Sequence, residues 1–201
     1  MANLDRPCGL KPLRYLNGTP WNGKFNIYYK AVGLAEAIFI GSPVKLASAG
    51  DASGVYPTIQ LAGAGGPIVG VVIGFGNTPN IVADVTNLNL LYSPSETAHY
   101  VAVVDDPSVI FECQEDDVDG TTLSAATGCG ATADLTAESG NTTTGRSTVE
   151  IDRSTVHTTS TLEIRILRLV DRVDNALGAY SKWEILINVH AYGHGLGATG
   201  A

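Results

Sequence analysis

From Phe25 onward the chain consists of short apolar runs divided by turn residues, and wherever a period can be read it is close to two. The clearest alternation spans residues 183–189. Trp183, Ile185, Ile187 and Val189 fall on one face there, with Glu184, Leu186 and Asn188 on the other. Residues 162–170 begin the same way, with Leu162, Ile164 and Ile166 opposed to Glu163 and Arg165. The alternation then slips at Leu167 and Arg168, which signals a bulge or a second buried face. Residues 68–75, IVGVVIGF, are apolar on both faces and read as a central strand covered on both sides, where Gly70 and Gly74 permit a bend or the close approach of a neighbour. Further strands are expected at 25–32, 37–40, 44–46, 55–61, 88–92, 99–104 and 109–113, the last two as a hairpin about Asp106 and Pro107. No segment keeps an apolar period of 3.6, and only residues 131–138 suit a short helix.

Many short strands at this spacing predict an all-β fold, a single β-barrel or β-sandwich-like domain. Residues 1–24 carry Pro7, Pro12 and Pro20 with glycines at 9, 18 and 23, which excludes a continuous helix and disfavours an internal strand, so an irregular N-terminal arm is expected. Trp21, between the turn dipeptides Asn17-Gly18 and Asn22-Gly23, is expected to anchor that arm on the protein's own body. The β-rich body then runs over 25–192. Within it, residues 119–147 are rich in Gly, Thr, Ser and Ala and poor in large apolar side chains, and read as a long surface excursion that adds little to a core. Residues 193–201 form a Gly-rich, flexible tail in this reading.

Length and composition fit this picture: 201 residues suffice for one substantial core and do not demand two. A net charge of −8, with no compensating Lys/Arg cluster, argues against nucleic acid as a partner. The opening residues lack the basic and apolar regions of a signal peptide, and no run reaches the ~18 apolar residues of a membrane span. The expectation is therefore a protein made and folded in a cytosol, with no membrane partner. Cys8, Cys113 and Cys129 form no CxxC pair and are read as free thiols. Cys113 shares a strand face with Val109 and Phe111, as a small core hydrophobe would.

The constellations that might carry chemistry each fall short. Glu115-Asp-Asp-Val-Asp-Gly120 opens like a calcium-binding EF-hand loop, but the twelfth position is Ala126 and no flanking helices are expected, so a solvated acidic turn is the better reading. His190 and His194 stand four apart without a helix or a third ligand, and His99 and His157 are isolated. Gly74-Phe75-Gly76 follows a strand, but Pro79 stands where a dinucleotide fingerprint needs its third glycine. Asp105 and Asp106 are adjacent, so on a strand they point to opposite faces. No catalytic, cofactor-binding or metal-ligating residue is assigned, and the chain is not expected to be an enzyme. Exposed tyrosines, among them Tyr28, Tyr29, Tyr56 and Tyr180, suit stacking on sugars as well as packing in a barrel.

Several stretches resemble a family of head structural proteins found in tailed bacteriophages. They begin with Asp5-Arg-Pro-Cys-Gly-Leu-Lys-Pro12, Leu16-Asn-Gly-Thr-Pro-Trp-Asn-Gly23, Ile38-Phe-Ile-Gly-Ser-Pro-Val-Lys45 and Ile68–Phe75. Tyr100-Val-Ala-Val-Val-Asp-Asp-Pro107, Phe111-Glu-Cys-Gln-Glu115, Thr142-Thr-Thr-Gly-Arg-Ser147, Leu162-Glu-Ile-Arg-Ile-Leu167, Asp174-Asn175 and Lys182-Trp183 continue the likeness over nearly the whole chain. The resemblance implies a β-rich decoration (cement) protein on the capsid exterior of the virion, bound to the phage major capsid protein and clustered with sister subunits as a homotrimer. On that expectation residues 1–24 touch the shell, while strand edges or the 119–147 excursion meet sister subunits. The alternative is a head fibre or a carbohydrate- or receptor-binding virion protein.

Overall fold

A computed structural model describes residues 3–63, 65–81, 90–117 and 123–193. In chain order the strands are β1 (Lys11–Tyr15), β2 (Asn26–Lys30), β3 (Ile38–Phe39), β4 (Pro43–Gly50), β5 (Pro57–Leu61), β6 (Gly70–Gly76), β7 (Tyr92–Ser93), β8 (His99–Val104) and β9 (Val109–Gln114). After them come a single-turn helix α1 (Ala125–Gly128), then β10 (Thr132–Ala133), β11 (Ile164–Leu169) and β12 (Lys182–Ile187). The fold is all-β. Strands β2-β5-β4-β6-β8 close on themselves, β2 pairing antiparallel with β8 from Asn26–Val103 to Lys30–His99 and meeting β5 in parallel at Tyr29–Thr58. Strands β1-β9-β12-β11-β10 form an open antiparallel sheet, and β3 and β7 a small separate pair.

Two cores result, and β6 stands between them. Val69, Val72 and Phe75 face the interior of the closed ring with Tyr28, Val44, Ile59, Val101 and Val103. Ile68 and Val71 face the other way, into a larger core with Phe111, Trp183, Ile185 and Ile187 on the inner face of the open sheet. The unbroken apolar run of residues 68–75 thus reflects burial on both sides, as expected. Gly70 lies so close to the Val104 carbonyl that a Cβ there would collide with it. The expected slip in β11 is a real bulge, at Ile166/Arg168 in the pairing with β12.

Other expectations are corrected. β8 and β9 are not a hairpin: both edges of β8 are taken by β2 and β6, and both edges of β9 by β1 and β12, so the turn at Asp106 carries the chain from one sheet to the other. The N-terminal stretch is not wholly irregular. Residues 11–15 form the edge strand β1 on β9, with Pro12 at the sheet margin and a register break between Pro12 and Arg14, a position where a missing N–H is tolerated. Upstream, Gly9 (φ +67) and Gly41 (φ +93) cross face to face, and a Cβ on either would strike backbone of the other segment. Trp21 packs against the larger core, in keeping with its expected role as an anchor.

The 119–147 excursion is not confined to the surface. Its described part sends Leu123, Ala133 and Leu135 into the larger core, and Gly128 of α1 lies against the Trp183 ring. The helix expected at 131–138 is absent; α1 lies earlier, capped by Ser124, and residues 132–133 form β10. Leu88, residues 119–122 of the excursion, His194 and the rest of the tail lie outside the described residues.

Candidate functional site

The centre of the open sheet's outer face is buried. Glu184, which alternation puts on the face opposite Trp183, is buried beside Glu112, directly opposite it on β9. Two like charges in register repel, so both require cationic partners. Arg168 holds the Glu184 carboxylate at 2.9 and 3.1 Å and Arg14 joins it; Arg172 holds Glu112 at 3.0 and 3.3 Å and Asp174 at 2.6 Å. Burial works to raise the Glu184 carboxyl, but hydrogen bonds and charge from Arg168 and Arg14 together outweigh it and hold it below its usual range.

Residues 3–6 lie over the same face. The Gln114 amide donates to Asp5 Oδ1 (3.1 Å) and Glu150 Oε1 (2.8 Å), while its carbonyl accepts Arg6 N–H. Burial pushes the Glu150 carboxyl up to about 7, against the pull of Gln114 and with the help of Asp5 and Asp116. The Asn3 amide donates to the carbonyls of Ala176 and Ala179 and its oxygen accepts the Ala176 N–H. This clamp joins two segments that present apolar side chains to solvent: Leu4 is 62% exposed, Val173 95% and Leu177 49%.

Buried and half-buried carboxylates also organise the excursion. Glu115, read as part of a solvated acidic turn, is fully buried and accepts Leu123 N–H (2.8 Å) and Ser181 Oγ–H (2.7 Å), and Ser181 Oγ accepts the Trp183 indole N–H. Glu163 accepts Leu135 N–H (2.8 Å) and Gly65 N–H (2.9 Å). Burial raises both carboxyls despite these bonds. Glu138 accepts Ser42 Oγ–H and the N–H groups of Gly140 and Thr148. These carboxylates therefore satisfy backbone donors that strand pairing leaves over.

At one end of the ring, Asn26, Tyr28, Tyr56, Tyr192, Asp105 and Asp106 line an open hollow of about 760 Å³. Asn26 Nδ2 donates to Asp105 Oδ1 (3.0 Å) and Oδ2 (2.9 Å), and the Tyr28 hydroxyl donates to Oδ2 (2.7 Å) and lies 3.2 Å from that of Tyr192. Burial, then Asp105 and Tyr192, push the Tyr28 phenol far above its usual range. Tyr56 continues this surface edge-to-face onto Tyr100, which packs on Tyr29. Of the tyrosines singled out from sequence as exposed, Tyr28 is instead buried in the ring core with its hydroxyl at the hollow, Tyr56 lines the hollow and Tyr29 adjoins them, whereas Tyr180 lies in the 171–180 segment at positive φ. Asn26 was legible in principle, standing two residues from Tyr28 on one strand; Tyr192, in a Gly-rich stretch, carried no signal.

The remaining candidates are scattered. His190 is buried, its Nδ1 accepting Tyr192 N–H (3.0 Å), and burial lowers its basicity against the charges of Asp105 and Asp106. His99 Nδ1 meets Ser93 Oγ at 2.8 Å, beside a fully buried Lys30 whose ammonium donates to the carbonyls of Pro94 and Thr97. Cys129 and His157 line one hollow with Arg153; Cys113 lies in the core and Cys8 is half-buried, and all three thiols are free. Gly74 and Gly76 are ordinary residues of β6, with a register break beside Gly74. Among the described residues no group of three His, Cys, Asp or Glu is placed to hold a metal, and no helix is long and apolar enough to cross a membrane. Compared with known proteins, the chain matches no family model, no curated protein and no solved structure.

Proposed function

We propose that the protein is a decoration, or cement, subunit of a tailed-bacteriophage capsid, binding the outer surface of the head through the face that carries its N-terminal segment. The likeness of its sequence to phage head proteins supports the class of function. The observation that carries the choice of face is the outward display of Leu4, Val173 and Leu177 on two segments clamped together by Asn3. Apolar side chains held rigidly in water cost free energy until a partner covers them. A subunit that binds only the assembled shell stabilises that shell by mass action.

Deleting residues 1–20 is a poor test, because it removes β1 and uncovers the buried charges behind it. Val173→Asp with Leu177→Asp leaves the body intact. Purified wild-type protein is expected to pellet saturably with undecorated capsids, and the double variant to lose at least about tenfold in affinity, or roughly 1.4 kcal/mol. Failure of the wild type to bind removes the function; equal binding by the variant removes this face.

A further inference from the structure

We infer that the hollow bounded by Asn26, Tyr28, Tyr56, Asp105 and Tyr192 is a binding site for a neutral sugar residue. A sugar ring presents an apolar C–H face and a rim of hydroxyl groups, and is held where an aromatic platform stands beside fixed polar side chains. Both are here. Tyr192 is 44% exposed and Tyr56 half-buried, and the second is braced edge-to-face by Tyr100 with ring centroids 5.3 Å apart. Asn26 lies at the rim, its amide held by both oxygens of Asp105.

The way Asp105 is used decides between a sugar and a cation, which tyrosines and carboxylates together also suit. An ionised carboxylate offers about four acceptor positions. Both oxygens are engaged, the two sharing the Asn26 amide and Oδ2 also accepting the Tyr28 hydroxyl, so Asp105 orients its neighbours instead of awaiting an ion. Asp106 is engaged as well, its Oδ1 accepting the Ser108 N–H and hydroxyl. With two carboxylates in the wall and a net charge of −8, acidic sugars are disfavoured. Pre-organisation comes from below: His190, only 6% exposed, takes the Tyr192 N–H on Nδ1 and so fixes that residue, while its buried Nε2 has no partner among the described residues. The opposite nitrogen being an acceptor, Nε2 carries the proton.

This site does not depend on the capsid reading and lies on different residues from the apolar face. The test is saturation-transfer NMR of the full chain with maltose, lactose and chitobiose as neutral probes, 3′-sialyllactose as an acidic probe, and tetramethylammonium as a cation. At least one neutral probe is expected to receive saturation at about 1–10 mM, the range of a shallow single-sugar site. The signal should fall at least about tenfold in Tyr192→Ala and in Tyr56→Leu, the first being a surface change that leaves the core alone. Transfer to none of the neutral probes, transfer that survives both substitutions, or binding of tetramethylammonium or sialyllactose in preference to them overturns the proposal.

Discussion

The closed ring and the open sheet each enclose an apolar core and differ in what completes it. The ring's interior is filled chiefly by the aliphatic side chains of β4, β5, β6 and β8, with Ile38 of β3 and Val69 ahead of β6 added. The sheet's core needs contributions from irregular segments: Leu10 before β1, Leu123 before α1, Leu135 after β10, and Val149 and Ile151 farther on. Irregular backbone entering a core brings unpaired N–H groups with it, and here Glu115, Glu138 and Glu163 accept them. Both halves depend on apolar area, and the ring also holds the buried Lys30 and His99 by hydrogen bonds; the sheet depends in addition on carboxylates, Glu115 and Glu163 among them, that accept backbone N–H groups of irregular segments.

The largest test of that contrast is Trp183→Ala. It removes the ring that packs under Gly128 and the indole N–H that Ser181 accepts, and should cost about 3–5 kcal/mol in urea unfolding, whereas Ile59→Val in the closed ring should cost about 0.5–1.5. A reversed ranking would show that the ring is the more finely packed half. Next is Glu163→Ala, which orphans the Leu135 and Gly65 N–H groups at about 1–3 kcal/mol for each buried donor. Glu163→Gln, retaining one acceptor oxygen, should recover part of the loss. Recovery to wild-type stability would mean that the charge of Glu163 contributes nothing.

A smaller effect follows from Glu150, whose folded value near 7 stands above its ordinary 4.5. The folded state therefore binds this proton more tightly than the unfolded state. The resulting stability is fully present below about 4.5 and is lost as pH rises toward 7. The urea midpoint should decline across that window, less so in Glu150→Gln, and an unchanged slope in the variant would place the proton elsewhere. Glu184 acts in the opposite direction, since its depressed value makes stability fall as pH drops below the usual carboxylate range.

Strand positions were largely legible because a half-buried strand writes its burial into the chain every second residue, as Trp183, Ile185 and Ile187 do, and a strand covered twice writes an unbroken apolar run, as β6 does. The N-terminal segment and the excursion differ from the sequence reading because both are held by partners elsewhere in the chain, β1 by pairing with β9 and the rest by side-chain bonds to backbone and hydroxyl groups. Asn3 reaches Ala176, Glu115 reaches Leu123 and Ser181, and Glu163 reaches Leu135 and Gly65. A local pattern of charge and glycine cannot distinguish such an anchored loop from a solvated one. The candidate sugar site was half legible: its tyrosines on β2 and beside β5 stood out, but Tyr192 joined them only through the fold.

By itself the sequence determined the class of the molecule, all-β with a double-faced central strand, since periodicity and composition are properties of the chain alone. Tertiary structure decided which strands pair, why β8 and β9 part company, and which charges lie buried. Those outcomes depend on edges and partners supplied by segments distant along the chain.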